Sequence, residues 1–239
     1  MSSFDRDQGD LVLTPGELEA LGDLAGGRAV QPEFLSALRN IGMLNGADQP
    51  AADIKQVATV VATAETRYTY TSVEAGSVRG YRMWVSEDAL VGHHLPSDDT
   101  PGVTTAGPVL LAPSDRLPVV LLTLADIPPR GSEPSEIPTM DGRALWAWLR
   151  DDRILAPDCH IPPERLFKMA RSSGNEIVLT SCLILDPGVV RVTQMLAAEA
   201  VHLEAAASLD LVQEVLELAV SERHGISDPV SSPATRVAS

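Results

Sequence analysis

Five histidines and two cysteines are the side chains of this sequence best suited to chemistry, and their spacing restricts what they can do. Cys159 and His160 are adjacent, a thiol beside a base. Catalytic partners are normally brought together by the fold, and direct neighbours in sequence seldom meet productively. Cys182 lies in an apolar run, where a free thiol is expected to be a small core residue. His93 and His94 are consecutive in a stretch with strand character, with Asp98 and Asp99 just beyond. Consecutive strand residues point to opposite faces, so the two imidazoles are read as an exposed strand-end pair and not as ligands of one metal ion. Glu199 and His202 are three apart, with Glu204 close by, in a segment read as helix. Di-iron bundles use a Glu-x-x-His spacing but need two copies and further glutamates. One copy reads as a surface pair. Asp151-Asp152 reads as a solvated helix end. Trp146 and Trp148, two apart on a helix, face different ways. One is expected in the core; the other is either an exposed contact residue or lies under the neighbouring proline-rich stretch. There is no G-x-S-x-G elbow, phosphate-binding loop or dinucleotide fingerprint. No catalytic, cofactor-binding, metal-binding or partner-binding residue is assigned, no cofactor is expected, and the chain reads as a binding protein and not as an enzyme.

Composition narrows the partners. The 239 residues allow one large domain or two small ones. Hydrophobic residues make up 44% of the chain, which places it among globular proteins, while aromatics at 4% leave the core to Leu, Val, Ile and Ala. A formal net charge of -15 repels phosphate backbones and anionic lipid, so neither nucleic acid nor a membrane surface is expected as partner. Basic partners would be steered toward such a chain, although the same charge also serves solubility alone. Lysine occurs only at Lys55 and Lys168, and Arg carries the rest of the positive charge, as a GC-rich actinobacterial coding bias would give. Met1 to Asp10 lacks the basic and apolar regions of a signal peptide. The longest apolar run, Leu117 to Ala125, is interrupted by Pro118 and is too short to span a bilayer. The cytoplasm is the expected compartment.

The elements that would position these residues follow from periodicity. Thr14-Pro15-Gly16-Glu17 reads as a capping box with Pro at the first helical position, ahead of Leu18, Leu21 and Leu24 at helical spacing. A second helix is predicted from Pro32 to about Ile41, stopped by Gly42, and a third from near Pro50 to about Ala64. The period then drops to two. Arg67 to Val73, Val78 to Ser86, Ala89 to Leu95 and Pro108 to Ala112 read as an antiparallel meander, with a bulge suggested at Gly80. Strict alternation puts Tyr68 and Tyr70 on one face and Thr69, Thr71 and Val73 on the other, unless a bulge resets the phase. Ser114-Asp115 is expected to cap a helix reaching about Asp126. Residues 128–138 contain four prolines and form the best boundary. Beyond it a helix is expected from about Asp141 to Arg150 and a short one from Glu164 to Arg171. Asn175 to Leu185 and Val189 to Met195 are expected to pair as a hairpin around Asp186-Pro187-Gly188, with Arg191 and Thr193 opposite Val190 and Val192. A helical region from Leu196 to about Arg223, either continuous or broken near Ser208, and a disordered tail over 225–239 complete the chain. The expected fold is α+β, an antiparallel sheet flanked by helices, in two related halves over 11–127 and 139–224.

The opening Leu13-Thr14-Pro15-Gly16-Glu17-Leu18 and the Tyr68 to Val85 meander, set in this order of elements, resemble the EspG family, the cytosolic chaperones of mycobacterial type VII secretion. The resemblance implies a central sheet with helical bundles and a pseudo-two-fold relation between halves. It also implies a protein partner, a secreted helical heterodimer of the PE–PPE kind that the chaperone binds at its tip and keeps soluble. No binding residue is carried over by a motif. Two other functions fit the residues: a small-molecule-binding or enzymatic α+β domain whose site is assembled from dispersed side chains, and a homo-oligomer built through the sheet edge.

Overall fold

Unbroken alternation along Thr66–Glu74 (β3) sets the architecture. The computed structural model describes residues 1–6, 8–74, 77–95, 105–127, 145, 165–184, 188–195 and 200–220. β3 pairs without a bulge with Ser77–Val85 (β4) on one side and with Arg165–Ser173 (β7) on the other. Tyr68 and Tyr70 therefore share one face, and Val73 goes to the opposite one with Thr69 and Thr71. Ala89–Leu95 (β5) and Gly107–Pro113 (β6) continue the meander from β4; Glu176–Ile184 (β8), Val189–Met195 (β9) and Ala200–Ala206 (β10) continue it from β7. Ser3–Asp5 (β1) and Asp10–Leu13 (β2) add a hairpin at one edge, giving ten antiparallel strands in the order β1-β2-β6-β5-β4-β3-β7-β8-β9-β10.

The sheet has an internal two-fold relation that its register makes explicit. Thr66 lies 99 positions before Arg165, and Ser77 lies 99 before Glu176, so the bounds of β3–β4 and β7–β8 are related by one shift. Tyr70 is the cross-strand partner of Met169, the residue 99 positions beyond it. The local axis thus passes between Tyr70 and Met169. Each four-strand meander is followed by a helix, Leu117–Ala125 (α4) after β6 and Ser208–Val220 (α5) after β10.

Both helices pack on the face that carries Tyr68, Tyr70, Met83, Leu90, Phe167, Met169 and Cys182, through Leu117, Leu121 and Ala125 of α4 and Leu211, Val215 and Leu218 of α5. The Tyr68 hydroxyl donates to the Leu218 carbonyl oxygen at 3.0 Å, satisfying a buried phenol. The first half of the opposite face is covered by Pro15–Ala25 (α1), Pro32–Asn40 (α2) and Lys55–Thr63 (α3), packed on Leu11, Leu13, Trp84, Ala89 and Val91. The second half of that face gathers Leu145, Leu166, Leu183, Val190 and Val192. The capping box of α1 forms as expected: the Thr14 amide donates to Glu17 Oε2 at 2.8 Å and the Glu17 amide to Thr14 Oγ1 at 3.2 Å.

Several expectations are corrected. The stretch expected as a helix from Glu164 to Arg171 is the central strand β7. Leu166, Lys168, Met169 and Arg171 are good helix formers, but a strand buried on both faces loses the alternation that would identify it. Of the helical region expected from Leu196 to Arg223, Ala200–Ala206 is the strand β10 and helix begins at Ser208. Gly80 pairs in register with Thr71 and Leu95, so no bulge forms there. Ser114 does not cap α4. A 3-10 turn, Ser114–Arg116, intervenes, and the Ser114 hydroxyl donates to the Glu87 carbonyl at 2.7 Å. Residues 128–138, the helix expected over 141–150 (apart from the buried Leu145), the turn residues 185–187 and the tail lie outside the described residues.

Candidate functional site

Among the described residues, those singled out for chemistry do not converge. His93, expected at an exposed strand end, is fully buried on the face covered by α1–α3. It meets β2 there, its Nε2 2.9 Å from the Leu13 carbonyl oxygen. Burial pushes its pKa below the ordinary imidazole value, against the opposing pull of the Leu13 carbonyl. His94, on the other face, is half-buried with its ring centroid 4.6 Å from that of Tyr81. His202 and Glu204 lie on β10 and not on a helix; His202 is exposed, and Glu204 accepts from Arg191 at 2.8 Å. Arg191 also bonds Glu214 of α5, so this guanidinium ties the sheet to the helix. Cys182 is buried, and burial raises its thiol pKa far above the usual range. Among the described residues no three His, Cys, Asp or Glu side chains are grouped to hold a metal ion. Asp98, Asp99, Cys159, His160, Trp146, Trp148, Asp151, Asp152, Glu199 and His224 lie outside the described residues.

One concave feature among the described residues is a groove of about 1310 Å³ at one end of the central strands. Several turns create it together. The last turn of α3 ends at Thr63, and the chain drops through Glu65 into β3 at the buried Thr66. The β4–β5 turn, Ser86 to Asp88, forms the next wall. It is fixed by Ser86 Oγ donating to the Ala89 carbonyl at 3.0 Å and by the Ser114 amide donating to the Asp88 carbonyl at 3.1 Å. From the second half come the ends of β7 and α5 and the start of β8. The floor is apolar, with Val85, Leu117 and Ala219 buried, while Val220 on the lining remains 48% exposed. The rim is acidic: Glu65, Glu87, Asp88, Asp115 and Glu176 face a single guanidinium, Arg171, itself buried and 3.8 Å from Glu176. Such a surface attracts positive charge and offers apolar contact below it. None of these residues stood out as a site in the sequence, because they come from five separate stretches of chain. The one available signal was the run of acidic residues at turn positions.

No protein-family model matches the chain, and no curated protein matches it. Among solved structures, it is similar to the type VII secretion system chaperone EspG5 of Mycobacterium tuberculosis, determined in complex with a PE25–PPE41 dimer. The two share 13% identity over 87% of this chain and 96% of the other, with a TM-score of 0.49. No helix among the described residues is long and apolar enough to cross a membrane.

Proposed function

We propose that this chain is a non-catalytic cytoplasmic chaperone or adaptor whose groove receives a segment of a protein partner. The observation that supports this is the character of the groove. It is long enough to be lined by both halves of the sheet, it mixes an apolar floor with hydroxyl and carboxylate walls, and much of its lining is exposed. A polypeptide segment carries apolar and polar groups at the spacing such a surface needs. Small-molecule sites instead bury most of the ligand in an apolar cavity with a few converging polar groups. The acidic rim favours a segment with Lys or Arg, both for encounter rate and for register. The finer version, in which the client is a secreted helical pair, follows from the resemblance of Leu13 to Leu18 and Tyr68 to Val85.

The test is recovery of the tagged chain from its native host, followed by deletion of its gene. The expected result is a stoichiometric secreted partner that becomes insoluble in the deletion strain. Recovery should fall when Glu87 and Asp88 are both changed to Lys, a change confined to an exposed turn. A chain that emerges alone, with its neighbours' secreted products still soluble after deletion, would refute the proposal.

A further inference from the structure

The two-fold relation of the two meanders is broken between β8 and β9, and the break leaves part of β8 without a strand partner among the described residues. In the first half, β5 covers β4 over six register pairs, from Gly80 opposite Leu95 to Val85 opposite Leu90. In the second half, β9 pairs with the corresponding strand β8 over only three, Cys182 to Ile184 opposite Arg191 to Val189. β9 remains paired with β10 as far as Met195 opposite Ala200, so the β9–β10 ribbon departs from β8 as a unit. The buried Ser181 marks the parting point. Its hydroxyl donates to the Val192 carbonyl at 2.8 Å, where the next ladder bond would otherwise lie. From Thr180 back to Glu176 no strand among the described residues pairs with the outer edge of β8. Exposure rises along the same residues, from the buried Thr180 to Ile177 at 72%.

We infer that this edge, Glu176–Thr180, accepts an extended segment of the partner as an added β-strand. The inference rests on the proposal that the chain binds a protein segment, and it deepens it. Three features point to an extended segment as the occupant. An unpaired row of backbone amides and carbonyls is satisfied by a strand and by little else. The sequence Glu-Ile-Val-Leu-Thr is rich in β-formers and carries neither the proline nor the lysine with which edges are normally guarded, its one charge being Glu176 at the end. β6, by contrast, has Pro108 and Pro113 near its ends, and the outermost strand at that side of the sheet, β1, has three residues. Finally, the edge is continuous with the groove, because Glu176 belongs to both. A segment of five residues, about 17 Å when extended, fills the edge. Its side chains on the Ile177–Leu179 face should be apolar, and the residue beside Glu176 should be basic. A second copy of this chain is disfavoured as occupant, since each copy carries a net charge of -15.

The experiment uses the full chain and a seven-residue peptide of alternating Val and Lys. Controls are the same peptide with every second backbone nitrogen methylated, in each of the two phases. Binding is read by fluorescence anisotropy and by amide hydrogen exchange of the chain. The expected result is binding of the unmodified peptide, with at least about tenfold slower exchange at outward-facing amides of Ile177–Thr180. One of the two methylated phases should lose affinity. Ile177→Lys should weaken binding about tenfold or more while leaving the melting temperature unchanged, because the side chain is exposed. Equal binding of both methylated peptides, or no slowing on the edge, overturns the inference. Slowing confined to the groove overturns it too but leaves the groove as the binding surface, and a concentration-dependent dimer protecting the edge assigns the edge to a second copy instead.

Discussion

Removing the Arg165 guanidinium should loosen α4 more than any loss of an ion pair would explain. α4 has no basic residue in its own last turn, so nothing on the helix itself offsets its C-terminal carbonyls. Arg165, the first residue of β7, supplies that function from the other half of the sheet. Its Nη2 donates to the carbonyls of Ala125 and Asp126, its Nη1 lies 3.3 Å from Asp126 Oδ2, and its guanidinium stands 5.9 Å from the Phe167 ring centroid. The side chain is 11% exposed. A hydrogen bond from a charged donor contributes about 1.5–3 kcal/mol. The bond to buried Ala125 counts in full, whereas water can replace the one at exposed Asp126. The ion pair to the 80%-exposed Asp126 carboxylate adds at most about 1 kcal/mol. Arg165→Ala should therefore cost about 2–3 kcal/mol, which for a chain of this size lowers the melting temperature by roughly 4–12 °C. Asp126→Asn keeps a residue tolerant of the left-handed backbone (φ 41°) and removes only the charge, so it should cost less than about 1 kcal/mol. Urea and thermal unfolding of both variants decide the matter. If Arg165→Ala and Asp126→Asn are equally mild, the carbonyl contacts contribute nothing and the reasoning fails.

Three further outcomes can be checked in the same way. His93 has a folded-state pKa below its unfolded value, so the unfolded chain takes up the proton first as pH falls; the stability it contributes is complete above about pH 6.5 and is lost below that, until the folded-state pKa is passed. The urea midpoint should therefore drop between pH 7 and pH 5 more steeply in wild type than in His93→Met, and parallel profiles would contradict this. Gly22 lets α1 approach α3, since a Cβ there would lie 2.5 Å from Val61 Cγ1; Gly22→Ala should be destabilising by about 1–3 kcal/mol despite its better helix propensity, and Val61→Ala in the same chain should recover part of the loss. Cys182 should resist iodoacetamide in the folded chain and react once it is unfolded in urea, because burial both covers the thiol and opposes the thiolate; rapid native-state labelling at this position would disprove its placement.

What the sequence disclosed depended on whether a segment's information was local. The capping box at Thr14 and Glu17 forms because all its partners lie within one helical turn. The meander from β3 to β6 was legible because its runs are rich in β-formers and are divided by short turns, and the Val190/Val192 against Arg191/Thr193 division of β9 was legible from its alternation. β7 was not, since the strand next to the axis is apolar or charged on both faces and its residues prefer helix in isolation. β1 and β2 also went unread: they are too short to show a period and exist only because β6 offers an edge. His93 was misplaced for a related cause. Whether a strand end is exposed depends on what packs over it, and here β2 and α1 arrive from 80 residues away in sequence. The groove was legible only as acidic residues at turn positions, as its lining is a property of how turns from both halves meet.

The two halves are a repeat of topology and not two independent folding units. A domain in the independent sense has its own core. Here one core takes Tyr68, Met83, Leu90 and Leu121 from the first half and Phe167, Cys182, Val215 and Leu218 from the second. The central contact, β3 against β7, is a continuous ladder of eight register pairs, and α4 lies against α5 directly above it. Separating the halves would expose Tyr70 and Phe167, whose rings lie 5.8 Å apart, and would leave two long strand edges without partners. A structural difference between the halves is tolerated at the periphery and not at the axis. Strands far from the axis, β9 and β10, can bend away without disturbing the shared core, whereas β3 and β7 cannot move without breaking it. The break in symmetry at β8–β9 lies on the side where the fold can tolerate it, and a binding edge could arise there at least cost to stability.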